Sequence, residues 1–565
     1  MVEWVILQIL LLTATVSADS FTSLASLKAL IGAERDIPVM ISGYVEKELA
    51  RLDYLKKFAE EVQEHNNKAM RDGVAAIAHP INAFLLIKGM TMDWNRAVEI
   101  MRSNSADDFI RNVTRQRINK RISYPTEVDL EGAANGLLRL QDTYQMDTND
   151  IAEGKILNSG IQTVTLTAGD CFEIGRVAYN THDYYHTILW MQEAQKRVQN
   201  ESKPTADAED ILEYLAFSLY KQGNLKRALL LTDELYRMNP DHPRAGKNVR
   251  WYEDFLKNEG VRPIDMRRNV PLINNPRDQD KVTSNEMRAY EALCRHEVPI
   301  STKTQSQLYC YYKMDHPYLR LAPFKVEIAQ QNPLAVLFHE IISDEESRII
   351  EMLATPKLHR ATIHNSVTGN LETAPYRISK NGWLKSSEHE VVRRIDRRLD
   401  LATNLNTETA EQLQVQNYGI GGHYEPHLDC SRKEEQAAFK ELGTGNRIAT
   451  ALIYMSEPEI GGRTVFIEPM TSVPCTKNAA LFWYNLMRSG AVDMRSRHAA
   501  CPVLTGIKWT ANKWFHEKGQ EWRRPCGLNE FDQERYVGDL GAPEPKYHLN
   551  IRGKVKKSKK MGQRR

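Results

Sequence analysis

Tyr424-Glu425-Pro426-His427-Leu428-Asp429, read with Ser496-Arg497-His498-Ala499-Ala500 downstream, decides how the C-terminal part of this chain folds. His427 and Asp429 stand at i and i+2 of a strand-like run, so both side chains point to one face of a sheet. His498, from a second such run, completes two imidazoles and one carboxylate on one side of a metal ion. That donor set suits Fe(II) and leaves positions open for a cosubstrate and dioxygen. Leu428 and Cys430 alternate to the other face, which takes Cys430 out of the set. A His-x-Asp tripeptide alone is weak evidence, since it arises often by chance. Lys508, in the apolar and aromatic run Gly506-Ile507-Lys508-Trp509-Thr510, adds weight. An inward-facing ammonium there is costly without a partner. A dicarboxylate cosubstrate supplies that partner through a charge-assisted hydrogen bond.

Working outward, the chain beyond Leu413 is a series of short apolar strands separated by Gly, Pro and Asn turns. This is the pattern of a double-stranded β-helix, the jelly-roll sheet pair. Ahead of it, Ser343-Asp344-Glu345-Glu346 opens a helix with a capping-box arrangement. Gly260 to Pro333 is charged, proline-containing and without clear periodicity, and reads as a linker.

The N-terminal half reads as helix. Val45, Leu49, Leu52, Leu55, Phe58 and Val62 recur at spacings of three and four. The stripe fits an ordinary core helix or a coiled-coil seam between two chains. Between Leu166 and Leu256, runs at Thr187–Val198, Ala208–Lys221 and Leu225–Met238 follow one another, with Gly223-Asn224 as a turn and Asn239-Pro240 as a stop. This is close to a tetratricopeptide half-repeat, and such units stack into a concave surface. Tyr214, Phe217 and Tyr220 share a helix face, and Trp251 and Tyr252 lie on a later helix. Aromatics so spaced are ordinarily core, but they are also a standard lining for grooves that hold polyproline II segments.

The resulting order is α then β: a leader at 1–18, a helical region at 19–160, a tetratricopeptide-like domain at 161–260, a linker at 261–335, the jelly roll at 336–528 and a basic tail at 529–565. Length agrees, since 565 residues hold about three or four domains. The 75 basic and 73 acidic residues nearly cancel, which gives no reason to expect nucleic acid as a partner. A mean hydropathy of −0.51 excludes a multi-span membrane protein. Val5 to Val16 is apolar and abuts Val16-Ser17-Ala18, as in a secretory leader; a buried N-terminal helix is the alternative. No other segment approaches a transmembrane span. Sequons at Asn112 and Asn200 are compatible with glycosylation in the secretory pathway. Seven cysteines leave at least one thiol unpaired. The C-terminus carries a basic run, Lys554 to Arg565, and no retrieval signal of the Lys-Asp-Glu-Leu kind.

Four stretches carry a family resemblance: Gln416 to His427, Gly461 to Phe466, Leu481 to Leu486, and Arg497 to Cys526. They resemble the catalytic domain of collagen prolyl 4-hydroxylase alpha subunits, and the resemblance extends over nearly the whole chain after the leader. It implies an Fe(II)/2-oxoglutarate dioxygenase that hydroxylates proline at C4 in X-Pro-Gly sequences, with L-ascorbate as reductant. It implies His427, Asp429 and His498 as iron ligands, and Lys508, His516 and Tyr418 around 2-oxoglutarate. For the peptide groove it implies Glu213, Tyr214, Phe217, Tyr220, Arg244, Asn248 and Trp251, with Phe217 and Trp251 standing where the family often has tyrosine and Glu213 where it often has aspartate. It implies disulfides Cys294–Cys310 and Cys501–Cys526, leaving Cys171, Cys430 and Cys475 as thiols. Further implications are dimerisation through the first helical region, assembly of two such chains with two protein disulfide isomerase subunits, and retention in the endoplasmic reticulum lumen by that partner. Two alternatives stand beside this reading: a non-catalytic collagen-binding chaperone, and an oxygenase acting on another proline-rich protein.

Overall fold

A computed structural model describes residues 20–538, apart from 73–88, 103–108, 110, 112–124, 158–159, 161–162, 278–283, 365–370, 374–375, 433–438, 440–441, 530–531 and 533. The leader, the Asn112 sequon and most of the basic tail lie outside the described residues. The chain divides into two compact units: Met1–Ser20 with Ala25–Thr126, and Phe21–Leu24 with Glu127–Arg565.

In the first unit, helix α1 runs from Leu24 to Asp72 and contains Pro38. Spaced charges such as the Asp53–Lys57 pair at 2.8 Å favour the long helix. Val45, Leu49, Leu52 and Val62 stay exposed along it. Leu55 and Phe58 of the same stripe are half-buried. Tyr44 packs its ring 5.7 Å from that of Phe109.

The second unit opens with helix α2 (Glu127–Tyr144) and continues through α3 (Ala168–Asn180), α4 (Tyr184–Val198), α5 (Ala208–Lys221), α6 (Leu225–Met238) and α7 (Ala245–Asn258). Side chains set the starts: Thr167 and Asp170 form a capping box for α3, while Asp183 and Asp207 cap α4 and α5. The α5–α6 turn needs Gly223, whose φ is +79°. Ile188, Trp190, Met191, Ile211, Leu215 and Tyr252 share one buried core with Leu138 of α2. Trp190 Nε1 donates to Gln141 Oε1 at 3.0 Å, so α2 is fastened to these helices by a buried polar contact as well.

After helix α8 (Asn285–Cys294), strands β1 (Cys310–Lys313), β2 (Phe324–Gln331) and β3 (Leu334–His339) arise within or directly after the stretch that reads as a linker. Its weak periodicity has a physical cause: β3 is buried on both faces and β1 is a four-residue edge, so neither alternates. The capping box of Ser343 and Glu346 starts α9 (Asp344–Ala354) as expected. Strands β4 (His359–Arg360), β5 (Thr362–His364), β6 (Leu371–Thr373) and β7 (Lys380–Leu384) precede helix α10 (Glu390–Thr403). Then come β8 (Leu413–Asn417), β9 (Tyr424–His427), β10 (Arg447–Tyr454), β11 (Ile460–Gly461), β12 (Thr464–Phe466), β13 (Thr471–Val473), β14 (Ala480–Tyr484), β15 (His498–Ala500), β16 (Val503–Thr505) and β17 (Trp509–His516).

The larger sheet has the order β1-β2-β3-β14-β10-β17-β8-β7-β4 and the smaller β13-β12-β15-β9. Tyr454, Leu481 and Trp483 of the first share a buried cluster with Phe466 and Val473 of the second, as the jelly-roll expectation requires. Among the described residues no helix is long and apolar enough to cross a membrane.

The expected disulfides are corrected. Cys294 pairs with Cys501, their Cα atoms 5.5 Å apart. Cys294 ends α8 in an apolar cluster with Tyr290, Val465, Ala499 and Cys501, so the helix packs onto the β12–β15 pair and brings the two sulfurs together. Cys310 lies exposed on edge strand β1 and Cys526 in an exposed loop, and both are thiols, as are Cys171 and Cys475.

Candidate active site

The two strands named at the outset are neighbours. β9 and β15 pair antiparallel with His427 opposite His498, and Asp429 follows just beyond the end of β9. One nitrogen from each histidine and one Asp429 oxygen lie within 4.8 Å of one another. His427 Nε2 is 3.6 Å from Asp429 Oδ1, and His498 Nε2 is 3.6 Å from Asp429 Oδ2. The other ring nitrogens are tied off: Nδ1 of His427 reaches the Glu425 carbonyl at 2.7 Å and Nδ1 of His498 the Ser496 carbonyl at 2.9 Å. A carbonyl only accepts, so each Nδ1 carries the hydrogen and each Nε2 lone pair faces the centre.

The electrostatics suit a cation. Burial pushes the Asp429 carboxyl up, but His498 and His427 outweigh it and hold the group well below the usual carboxylate range. Burial, with His427 alongside, pushes His498 down to about 4, so its imidazole is neutral near pH 7. Neutral imidazoles and an ionised carboxylate are the forms that ligate Fe(II). Thr450 Oγ1 donates to Asp429 Oδ2 at 2.8 Å and accepts from Asn485 Nδ2 at 2.9 Å. Tyr424 stacks on His427 with ring centroids 3.5 Å apart, and Trp483 meets the His498 ring edge-on at 4.6 Å. Cys430 is indeed outside the set, with its Sγ 3.7 Å from the Asn485 carbonyl.

Lys508 is 1% exposed, just ahead of β17. Its ammonium donates to the Gly462 carbonyl at 2.6 Å and lies 4.6 Å from the Tyr418 ring centre. Burial pushes its pKa down, and no carboxylate among the described residues meets it. Cys475 donates to the same Gly462 carbonyl at 2.9 Å. Tyr418 is buried beside Lys508, with its hydroxyl on Gln416 Oε1 at 3.0 Å. His516, the last residue of β17, has both ring nitrogens engaged: Nδ1 with the Gly445 carbonyl at 2.7 Å and Nε2 with Glu411 Oε1 at 3.1 Å. Glu411 also takes Arg447 Nη2 at 3.0 Å, and Arg447 Nη1 donates to the Asp429 carbonyl at 3.2 Å. His516 thus reaches the ligand loop through Glu411 and Arg447.

The groove residues also converge. Glu213, Tyr214, Phe217 and Tyr220 are all half-buried along one edge of α5. Arg244 Nη2 donates to Glu213 Oε2 at 2.6 Å. Asn248 and Trp251 follow Arg244 at helical spacing, on one face of α7. The rings form a ladder in which Phe217 lies 6.0 Å from Tyr220, and Tyr220 4.9 Å from Trp251. Three rungs escaped the sequence reading. Tyr179 touches Tyr214 at 4.7 Å, Tyr184 touches Phe217 at 6.2 Å, and Phe255 touches Trp251 at 5.2 Å. Phe255 follows Trp251 by one helical turn, so its share in the face was readable; Tyr179 and Tyr184 join only through the α3–α4 turn.

Comparison with known proteins places these parts. Residues 23–158 match the prolyl 4-hydroxylase alpha-subunit N-terminal region, 168–258 the prolyl 4-hydroxylase peptide-substrate-binding domain, and 413–516 the 2OG-Fe(II) oxygenase superfamily. The chain is 55% identical over 546 residues to prolyl 4-hydroxylase subunit alpha-1 of Caenorhabditis elegans, covering 96% of this chain and 97% of that one. Subunit alpha-2 of the same organism is 51% identical, over 95% of this chain and 98% of its own. Human prolyl 4-hydroxylase subunit alpha-1 is 43% identical, over 93% and 99%. With three successive segments matching in order and near-full-length identity at this level, the chain belongs to the prolyl 4-hydroxylase alpha-subunit family of 2-oxoglutarate- and Fe(II)-dependent dioxygenases.

Proposed function

We propose that the chain is the catalytic subunit of a procollagen-proline 4-dioxygenase of the endoplasmic reticulum lumen. In this reading His427, Asp429 and His498 hold Fe(II), and Lys508 binds the distal carboxylate of 2-oxoglutarate. The observation that carries it is the pairing of a converged, tautomer-fixed donor set with a buried ammonium that meets no carboxylate among the described residues. When bound, the iron, 2-oxoglutarate and dioxygen supply the oxidant that exchanges a proline C4–H for C4–OH. The chain's own residues do the rest. Glu425 and Ser496 carbonyls fix the two imidazoles, Thr450 steadies the Asp429 carboxylate, and Tyr424, Phe466 and Trp483 wall the histidines against water. Tyr418 flanks the Lys508 ammonium, and His516 acts through Glu411 and Arg447 on the loop that bears Asp429.

The aromatic ladder, with Glu213, Arg244 and Asn248 at its edge, takes a proline-rich segment of the substrate as a polyproline II helix. L-Ascorbate restores iron oxidised in uncoupled cycles, and protein disulfide isomerase is the partner, two chains of each per assembly. Asn200, exposed in the turn after α4, is a glycan acceptor in that compartment. The test is 2-oxoglutarate decarboxylation by the chain co-expressed with protein disulfide isomerase, with and without a Pro-Pro-Gly repeat peptide. Peptide-dependent succinate with 4-hydroxyproline in the peptide is expected. Peptide binding without succinate overturns the catalytic reading, and succinate indifferent to the peptide overturns the substrate.

A further inference from the structure

Residues 21–23 are built into the catalytic unit although they precede it by a long stretch of chain. Phe21 is 7% exposed, and Thr22 and Ser23 are fully buried. Their backbone joins the turn that follows β8: Ile420 N–H donates to the Phe21 carbonyl at 3.1 Å, and Leu24 N–H to the Tyr418 carbonyl at 3.4 Å. The approach is so close that a Cβ on Gly419 would stand 1.9 Å from the Phe21 carbonyl oxygen. The Phe21 ring rests on Gly132 of α2, where a Cβ would stand 2.2 Å from it, and the Arg360 guanidinium lies 5.4 Å from the ring centre. One turn further along α2, Gly136 packs on Ile420, and Arg139 Nη1 donates to the Gly421 carbonyl at 3.0 Å. The turn from Tyr418 to Gly422 is therefore gripped by Phe21–Ser23 and by α2.

That turn borders the cosubstrate pocket. Tyr418 N–H donates to the Lys508 carbonyl at 3.2 Å, and its ring flanks the Lys508 ammonium at 4.6 Å. We infer that Phe21 is a positioning residue for 2-oxoglutarate: its grip on the turn fixes Tyr418, and Tyr418 fixes where the Lys508 ammonium stands. The inference rests on the reading of Lys508 as the anchor of the distal carboxylate. Displacing an anchoring charge by an ångström or so is enough to lose most of a directed contact.

The experiment measures 2-oxoglutarate binding without turnover, by equilibrium dialysis under argon, to the full chain loaded with Fe(II) and co-expressed with protein disulfide isomerase. Phe21→Ala should raise the dissociation constant about tenfold, and Phe21→Leu, which keeps most of the packing, should stay within about threefold of the parent. Affinity for a polyproline peptide should not change in either. Gly132→Ala presses on the Phe21 ring from α2 and carries the same expectation should Phe21→Ala fail to fold. Unchanged 2-oxoglutarate binding alongside a lowered melting temperature overturns the inference and leaves Phe21 a purely structural residue. Lys508→Ala separates the two levels. If it spares 2-oxoglutarate binding, the anchor reading falls; if it abolishes binding while the Phe21 and Gly132 variants are silent, only the inference falls.

Discussion

The candidate metal pocket and the aromatic groove are built on opposite principles. In the pocket, His427 is half-buried and Asp429, His498 and Lys508 are buried, and each is aimed by a hydrogen bond: two backbone carbonyls for the imidazoles, Thr450 for the carboxylate and Gly462 for the lysine. In the groove, half-buried and exposed rings meet edge-on or tilted, and the Glu213–Arg244 pair adds a directional contact. Hydrogen-bonded positions have one correct geometry, whereas a ladder of rings spreads its contribution over many contacts. Single changes should therefore be all-or-nothing in the first region and graded in the second.

The sharpest attempt to break this contrast is His427→Ala, which removes one of three donors from a converged set. Turnover should fall below detection while peptide affinity is unchanged, as read by succinate release and by peptide titration. Next is Lys508→Ala: loss of a charge-assisted contact should raise KM for 2-oxoglutarate by about two orders of magnitude and leave KM for the peptide alone. Thr450→Val keeps the shape and deletes the hydrogen bond to Asp429. Iron affinity, measured by competition with a chelator, should drop about tenfold, the usual scale for a partner behind a ligand. In the groove, Trp251→Ala should cost about 1 kcal/mol of peptide binding, a fewfold rise in KM with kcat intact. A loss as complete as that at His427 would show that the groove, too, hangs on one residue.

A last effect, on stability alone and not on turnover or binding, concerns the groove's scaffold. His186 of α4 sits buried between Asp183 at 2.8 Å and Asp142 of α2 at 3.2 Å, and Asp142 is also held by Arg277 at 3.0 Å. Burial disfavours its charge, but the two aspartates outweigh burial and raise its pKa to about 9. Because the folded value exceeds the unfolded one, its stabilisation is complete below about pH 6.5 and fades as pH rises through 9. Between pH 7 and 9 the loss should be about 2 kcal/mol, a melting point lower by roughly two degrees for a unit this large. A His186→Gln chain should not show that part of the pH dependence.

What the sequence discloses follows from how far apart the cooperating residues lie. His427 and Asp429 are two positions apart, and although β9 ends at His427, this short spacing is enough to bring both to one centre. The helices of the groove domain are bounded by local signals, the Asp207 side-chain cap and the Gly223-Asn224 turn among them, so Ala208–Lys221 and Leu225–Met238 are readable to the residue. Thr450 and Asn485 leave only a faint mark, a polar residue in or just after a largely apolar strand, because Asn485 acts on Thr450 across a strand pair and Thr450 acts on Asp429, which follows a strand of the other sheet. The Cys294–Cys501 bridge leaves none, since it depends on which face of β12–β15 helix α8 covers. Strands β1 and β3 are likewise invisible locally, because being short or buried on both sides erases the alternation that identifies a strand, whereas the alternation of Phe324 to Ile328 in β2 is readable.

The two-part make-up of the catalytic unit also has a consequence in time. Phe21 and Leu24 leave the ribosome roughly four hundred residues ahead of their partners Ile420 and Tyr418, about 20 to 80 seconds at ordinary elongation rates. For that interval α2, which supplies Gly132, is the half of the docking site already made, and the turn after β8 is the half still missing. Closing the contact with that turn is therefore among the last steps by which the subunit becomes whole.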